Sequence, residues 1–81
     1  MTDPIRTVLA DHARLSVDPE TLGEDEDLYR HGFTSHASVS VMLALEEAFD
    51  VEFPNRMLRK STFSSVQSIR DALGELGARK L

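Results

Sequence analysis

At 81 residues, 41% apolar and 28% charged, the chain has the composition of one small folded domain, 1–81, and is too apolar to be wholly disordered. So short a span leaves little room for a deeply buried multi-substrate active site, and the absence of cysteine removes disulfides, thiolate nucleophiles and cysteine metal sites. The formal charge of −5 is unevenly divided, −9 over residues 1–52 and +4 over residues 53–81, which argues against a nucleic-acid groove and for a partner with a basic surface.

The chain opens Met1-Thr2-Asp3-Pro4, without the basic and apolar regions of a signal peptide. No run approaches the eighteen or so apolar residues of a membrane helix, so the expectation is a cytoplasmic protein that does not engage a membrane. Asp3 is placed to cap a first helix, with Pro4 in the first position, where its missing N–H costs nothing. Ile5, Val8, Leu9 and Ala13 recur at helical spacing and form one core-facing stripe, with the helix ending near Arg14. Residues 15–34 form a long connection in which Asp18-Pro19-Glu20-Thr21 starts a helical turn, and Leu22, Leu28, Tyr29 and Phe33 pin the backbone to the bundle. A connection of that length in so small a domain is usually functional or partly helical.

Gly32 breaks the chain, and from Ser35 to Phe49 neither Gly nor Pro interrupts a run of good helix formers. At about 100° per residue, Val41, Met42, Leu45, Ala48 and Phe49 share one arc, with His36, Ser40, Leu43 and Glu47 opposite. The first arc is the predicted core, where each large side chain contributes about 1.5–3 kcal/mol. Pro54 ends the next segment, and Asn55 is expected to cap a short helix over residues 56–60. The last helix opens near Ser64 or Ser65 and carries Val66, Ile69, Leu73 and Leu76 on one face, weakened by Gly74 and ended by Gly77. With no strand-like alternation and no internal repeat, the expectation is an all-α bundle of three main helices plus one short one.

Ser35 is a hydroxyl at the N-terminus of the longest helix, where free N–H groups and the helix dipole favour an anion. Thr34 and Ser35 are also ordinary capping residues, and local chemistry leaves both roles open. A nucleophilic Ser35 with His36 or His31 as base is disfavoured. Adjacent helical side chains diverge, and the Gly-x-Ser-x-Gly elbow is absent. His12, His31 and His36 show no recognised metal spacing with acidic residues.

The run Gly32-Phe33-Thr34-Ser35-His36, then Leu45-Glu46-Glu47-Ala48-Phe49 and Pro54, then Phe63-Ser64-Ser65-Val66, resembles the acyl carrier protein family over nearly the whole chain. In that family the serine of a Gly-x-Asp-Ser-Leu motif opens the second helix, and a Leu-Glu-Glu-x-Phe segment and a proline follow at this distance. Here Thr34 replaces the aspartate and His36 the leucine. Gly-Phe-Thr-Ser-His-Ala-Ser-Val with Phe-Pro-Asn-Arg-Met-Leu downstream is similar to stand-alone aminoacyl carrier proteins loaded by relatives of class II aminoacyl-tRNA synthetases.

The resemblance implies a non-enzymatic carrier, monomeric when free, with 4'-phosphopantetheine attached to Ser35 and an amino acid held as a thioester. Its implied partners are a phosphopantetheinyl transferase, an amino acid:carrier protein ligase or other loading enzyme, and a downstream acceptor enzyme. Thr34, His36, Ser40, Leu43 and Glu47 are expected to meet such partners, as are Arg56, Arg59 and Lys60, which make basic a segment that is acidic in typical fatty-acid carriers. The alternatives are a carrier of fatty-acyl, polyketide or nonribosomal-peptide intermediates, and a cofactor-free helical interaction module.

Overall fold

A computed structural model describes residues 3–77 of the chain. Helix α1 spans Pro4–His12, α2 spans Ser35–Phe49 and α3 spans Val66–Glu75, with no strand among the described residues. Four single 3-10 turns, Pro19–Thr21, Leu28–His31, Asn55–Met57 and Lys60–Phe63, lie in the connections.

Helix α1 starts as its sequence dictates: Pro4 is in the first turn and the Asp3 carboxylate accepts the Ile5 N–H at 3.1 Å. It stops at His12 because Arg14 adopts φ 55°, a left-handed conformation that cannot continue a helix. The connection to α2 repeats the opening device twice. Asp18 accepts the Glu20 N–H and Asp27 accepts the Tyr29 N–H, both at 3.0 Å, so each aspartate nucleates one 3-10 turn. The second turn was absent from the sequence expectation.

Backbone polar groups in so long a connection need partners, and the bundle supplies them. Arg6 donates to the carbonyls of Pro19 and Leu22 at 2.6 and 2.7 Å. The Leu28 N–H reaches Ser64 O and the Gln67 N–H reaches Glu24 O, each at 2.7 Å. Leu22, Leu28 and Phe33 are buried as expected, while Tyr29 is half-buried against the core. Leu28 is fully buried alongside Ile5, Leu9, Val41, Leu45, Val66, Ile69 and Leu73, which makes the connection a fourth wall of the core and not a tether.

The Thr34 hydroxyl caps α2 by accepting the Ala37 N–H at 3.0 Å. The buried row is Ala37, Val41, Leu45 and Phe49, one residue every four. This shifts the predicted arc. Ala37 belongs to the core, while Met42 and Ala48 lie at its edges and are only half-buried. Asp50 closes the helix at φ 55°, and the Glu46 side chain accepts the Phe53 N–H at 2.9 Å as the chain turns away.

The short helix expected over residues 56–60 does not form. Pro54, not Asn55, precedes the Asn55–Met57 turn, and no side chain caps it. Leu58 (ψ 68°) and Arg59 (ψ 159°) then leave helical space before the Lys60–Phe63 turn. A single uncapped turn cannot recover its nucleation cost, so the segment takes the path that buries Met57 and Phe63. The Phe63 ring sits 5.4 Å from that of Phe53.

Of the two serines anticipated at the start of α3, Ser65 is the cap. It forms a capping box with Ser68, both bonds at 3.0 Å. Val66, Ile69, Ala72 and Leu73 face the core, and Gly77 leaves at φ 79°. An ionic cluster ties the helices together away from the core. Arg70 on α3 donates to Glu24 at 3.0 Å and to Asp3 at 2.6 Å, and Arg6 reaches Glu24 at 2.8 Å.

Candidate functional site

Gly32, at φ 90°, turns the backbone out of the connection, and the buried Phe33 side chain anchors that turn. Thr34 is extended and takes the cap, so Ser35, the first residue of α2, stands exposed at the helix N-terminus without being needed to start it.

Ser35 opens onto a groove of about 310 Å³ between α2 and the segment after Pro54. Ser38, Val39 and Met42 form the α2 wall, Leu58, Arg59, Lys60 and Phe63 the opposite wall, and Tyr29 closes one end. The closure is braced. The Tyr29 hydroxyl donates to Lys60 O at 3.3 Å, and the Lys60 ammonium lies 4.6 Å from the centre of the Tyr29 ring. Burial, with a smaller contribution from Asp27, pushes the Tyr29 phenol above its ordinary range, so it remains a neutral donor. Two cations and no acid line this groove, in a chain whose net charge is −5.

The predicted partner residues fall on three surfaces. Thr34 and His36 flank Ser35 and are exposed. Ser40, Leu43 and Glu47 line a second groove, about 620 Å³, whose far wall is Val8 and His12 of α1. Arg59 and Lys60 stand across the first groove from Ser35. Arg56 adjoins this third surface, lining a neighbouring cleft with Arg59 while pairing with Glu75 of α3 at 3.0 Å. His31 pairs with Glu26 at 2.6 Å.

Val39 and Leu58, 53% and 46% exposed, were not assigned to the site from sequence, nor was Tyr29. Val39 lies one turn beyond Ser35 and Leu43, 55% exposed, one turn further, so a serine and two bare apolar side chains make a single line along α2. The i, i+4, i+8 spacing from Ser35 was the available signal. Leu58 carried none, since its exposure follows from the break between the two 3-10 turns.

Ser35 thus presents an exposed hydroxyl at a helix N-terminus, beside a cation-lined groove on a small bundle, where free N–H groups and the helix dipole favour an anion. Residues 3–74 match the family described as the phosphopantetheine attachment site, and the chain belongs to that family. It therefore bears 4'-phosphopantetheine on a serine and is not itself an enzyme.

The chain is 41% identical over 73 residues to an aminoacyl carrier protein of Agrobacterium fabrum, covering 90% of this chain and 88% of the relative. Its fold matches the crystal structure of an engineered Bradyrhizobium japonicum glycine:[carrier protein] ligase complexed with carrier protein from Agrobacterium tumefaciens and AMP. The match has a TM-score of 0.85 at 41% identity, over 88% of this chain and 95% of that one. A solution structure from Agrobacterium tumefaciens matches with a TM-score of 0.70, again at 41% identity, over 88% of this chain and 86% of that one.

Proposed function

We propose that Ser35 is the attachment residue and that the chain carries an amino acid, as a thioester, from an amino acid:carrier protein ligase to an acceptor enzyme in the cytoplasm. The observation that carries this reading is the position of Ser35: exposed, first in α2, relieved of capping by Thr34, and facing Arg59 and Lys60 across a groove without acids. The amino-acid cargo is supported by 41% identity to an aminoacyl carrier protein and by similarity to a carrier complexed with a glycine ligase.

The prosthetic group supplies a flexible thiol, which the cysteine-free chain lacks. The protein's own residues present it. Thr34 fixes where α2 begins, Phe33 anchors the turn before it, and the buried row on α2 keeps Ser35, Val39 and Leu43 outward. A transferase or ligase approaching Ser35 meets Thr34, His36, Val39 and Leu43 first, with Ser40 and Glu47 on the α1 side and Arg59 and Lys60 on the other. Arg56, turned toward Glu75, lies at the margin of that footprint.

The test is intact-mass and peptide analysis after incubation with coenzyme A and a phosphopantetheinyl transferase, followed by candidate ligases with ATP and single amino acids. The expected result is one added arm on the Ser35 peptide and a further mass increment from an amino acid. Ser35→Ala remains folded, within about 0.5 kcal/mol of the parent, and takes no arm. An arm on the Ala variant would overturn the assignment, and loading by fatty-acyl but not aminoacyl donors would overturn the cargo.

A further inference from the structure

We propose that the loading ligase docks on this chain in one orientation, set by charges of opposite sign on the two flanks of α2: its docking face carries an apolar strip for Val39 and Leu43, basic groups on the α1 side and acidic groups on the other. This rests on the reading of the chain as an amino-acid carrier and adds the chemistry of the partner's surface to it.

Ser35 and Val39 border the groove toward the segment after Pro54, and Leu43 borders the groove toward α1, so their line along α2 is the divide between the two. Val39 and Leu43 are 53% and 55% exposed, an apolar centre that a partner can cover. The flanks differ in sign. On one side Arg59 and Lys60 line the groove and no acid does, while on the other Glu47 lines it and no Lys or Arg does. Arg56, the third cation of the segment after Pro54, is paired with Glu75 and adds no free charge to its flank.

The cations are held before a partner arrives. The Lys60 ammonium rests 4.6 Å from the Tyr29 ring centre, and the Arg59 guanidinium donates to Arg56 O at 3.0 Å. Side chains held this way lose less freedom on pairing than free ones do. Charges around an apolar centre act chiefly on encounter and register. A uniformly acidic surface would accept a basic partner turned either way about α2. With opposite signs on the two flanks, the reversed pose sets like charges against each other on both sides and is disfavoured. A single pose brings Ser35 to the same place on the ligase at every encounter.

The experiment measures loading of the armed parent, Glu47→Lys, Arg59→Glu and the double variant by intact mass, at low salt, with a ligase and amino acid that load the parent. Glu47 and Arg59 are exposed, so all four proteins keep the parent's urea midpoint and take the arm on the Ser35 peptide. The single substitutions move the net charge by +2 and −2, and the double variant keeps the parental −5. The expected result is that each single variant loses about three- to tenfold in kcat/KM, through KM, and that the double variant loses more than either. The losses shrink in 1 M salt, where the screening length is about 3 Å. Glu47→Gln and Arg59→Gln, which remove charge without reversing it, give smaller losses in the same direction. If the single variants move loading in opposite directions and the double variant regains the parental value, net charge governs the encounter and the proposal is overturned. A single reversal that leaves kcat/KM within about twofold overturns it as well. If no ligase loads the parent with an amino acid, the amino-acid reading falls and this proposal with it.

Discussion

Replacing Arg70 with Met keeps the aliphatic stem and deletes the charge that joins α3 to the cap of α1 and to the connection. Three bonds disappear: two to Glu24 at 3.0 Å and one to Asp3 at 2.6 Å. Hydrogen bonds to charged groups contribute about 1.5–3 kcal/mol when sheltered, whereas exposed pairs contribute about 0.2–1. The cluster lies between these limits, with side-chain exposures of 29% for Arg70, 21% for Asp3 and 41% for Glu24. Arg6 stays within 2.8 Å of Glu24 and 3.4 Å of Asp3, so neither carboxylate is stranded. The expected loss at pH 7 is about 2 kcal/mol, or a fall in Tm of about 8–16 °C for a domain of this size.

Urea unfolding as a function of pH tests the cause. Burial pushes the Asp3 carboxyl up, but bonds from Arg70 and the Ile5 N–H and the charges of Arg70 and Arg6 outweigh it, leaving it below the ordinary 3.8. The Arg70 hydrogen bond, opposed by burial and aided by Arg6, holds Glu24 below 4.5. Folded-state values below the unfolded ones mean stabilisation that is complete above about pH 5 and lost as pH falls through the folded values. Parent and Arg70→Met curves should therefore converge as pH falls below the ordinary carboxylate range and both acids are protonated. A gap under about 0.5 kcal/mol at pH 7, or one that persists undiminished in acid, would refute the reasoning.

Thr34→Ala should cost about 1 kcal/mol in urea unfolding, because it removes the bond to the Ala37 N–H; an unchanged midpoint would mean that α2 begins without its cap. Leu43→Ser should leave stability within about 0.5 kcal/mol, since Leu43 is already 55% exposed, and lower the rate of ligase loading about tenfold if Leu43 anchors the partner. Unchanged loading would exclude Leu43 from the footprint.

Where a segment's conformation was decided locally, it was legible in the sequence. Asp3-Pro4, Asp18-Pro19 and the uninterrupted run after Ser35 each announce their element, and the place of Ser35 at the start of the longest helix was legible with them. Residues 54–65 were not legible in the same way. Asn55 looks like a cap, but the burial of Met57 and Phe63 against the bundle decides their path. Met42 fell on the core arc by angle alone, and only the position of Leu58 and Phe63 across the groove reveals it as a wall. The pairing of Arg56 with Glu75 was not legible either, because it depends on how the segment after Pro54 lies against α3.

Thr34 caps α2 and Ser35 does not, a division of labour between adjacent hydroxyls that bears on how the protein matures. Were one side chain to do both jobs, esterifying it would remove a helix cap, and each round of arming or stripping would be charged against folding stability. With the tasks separated, and with Ser35 as the proposed attachment residue, arming or stripping the chain leaves the cap of α2 in place. On that proposal, gain or loss of the arm need not alter the stability of the fold.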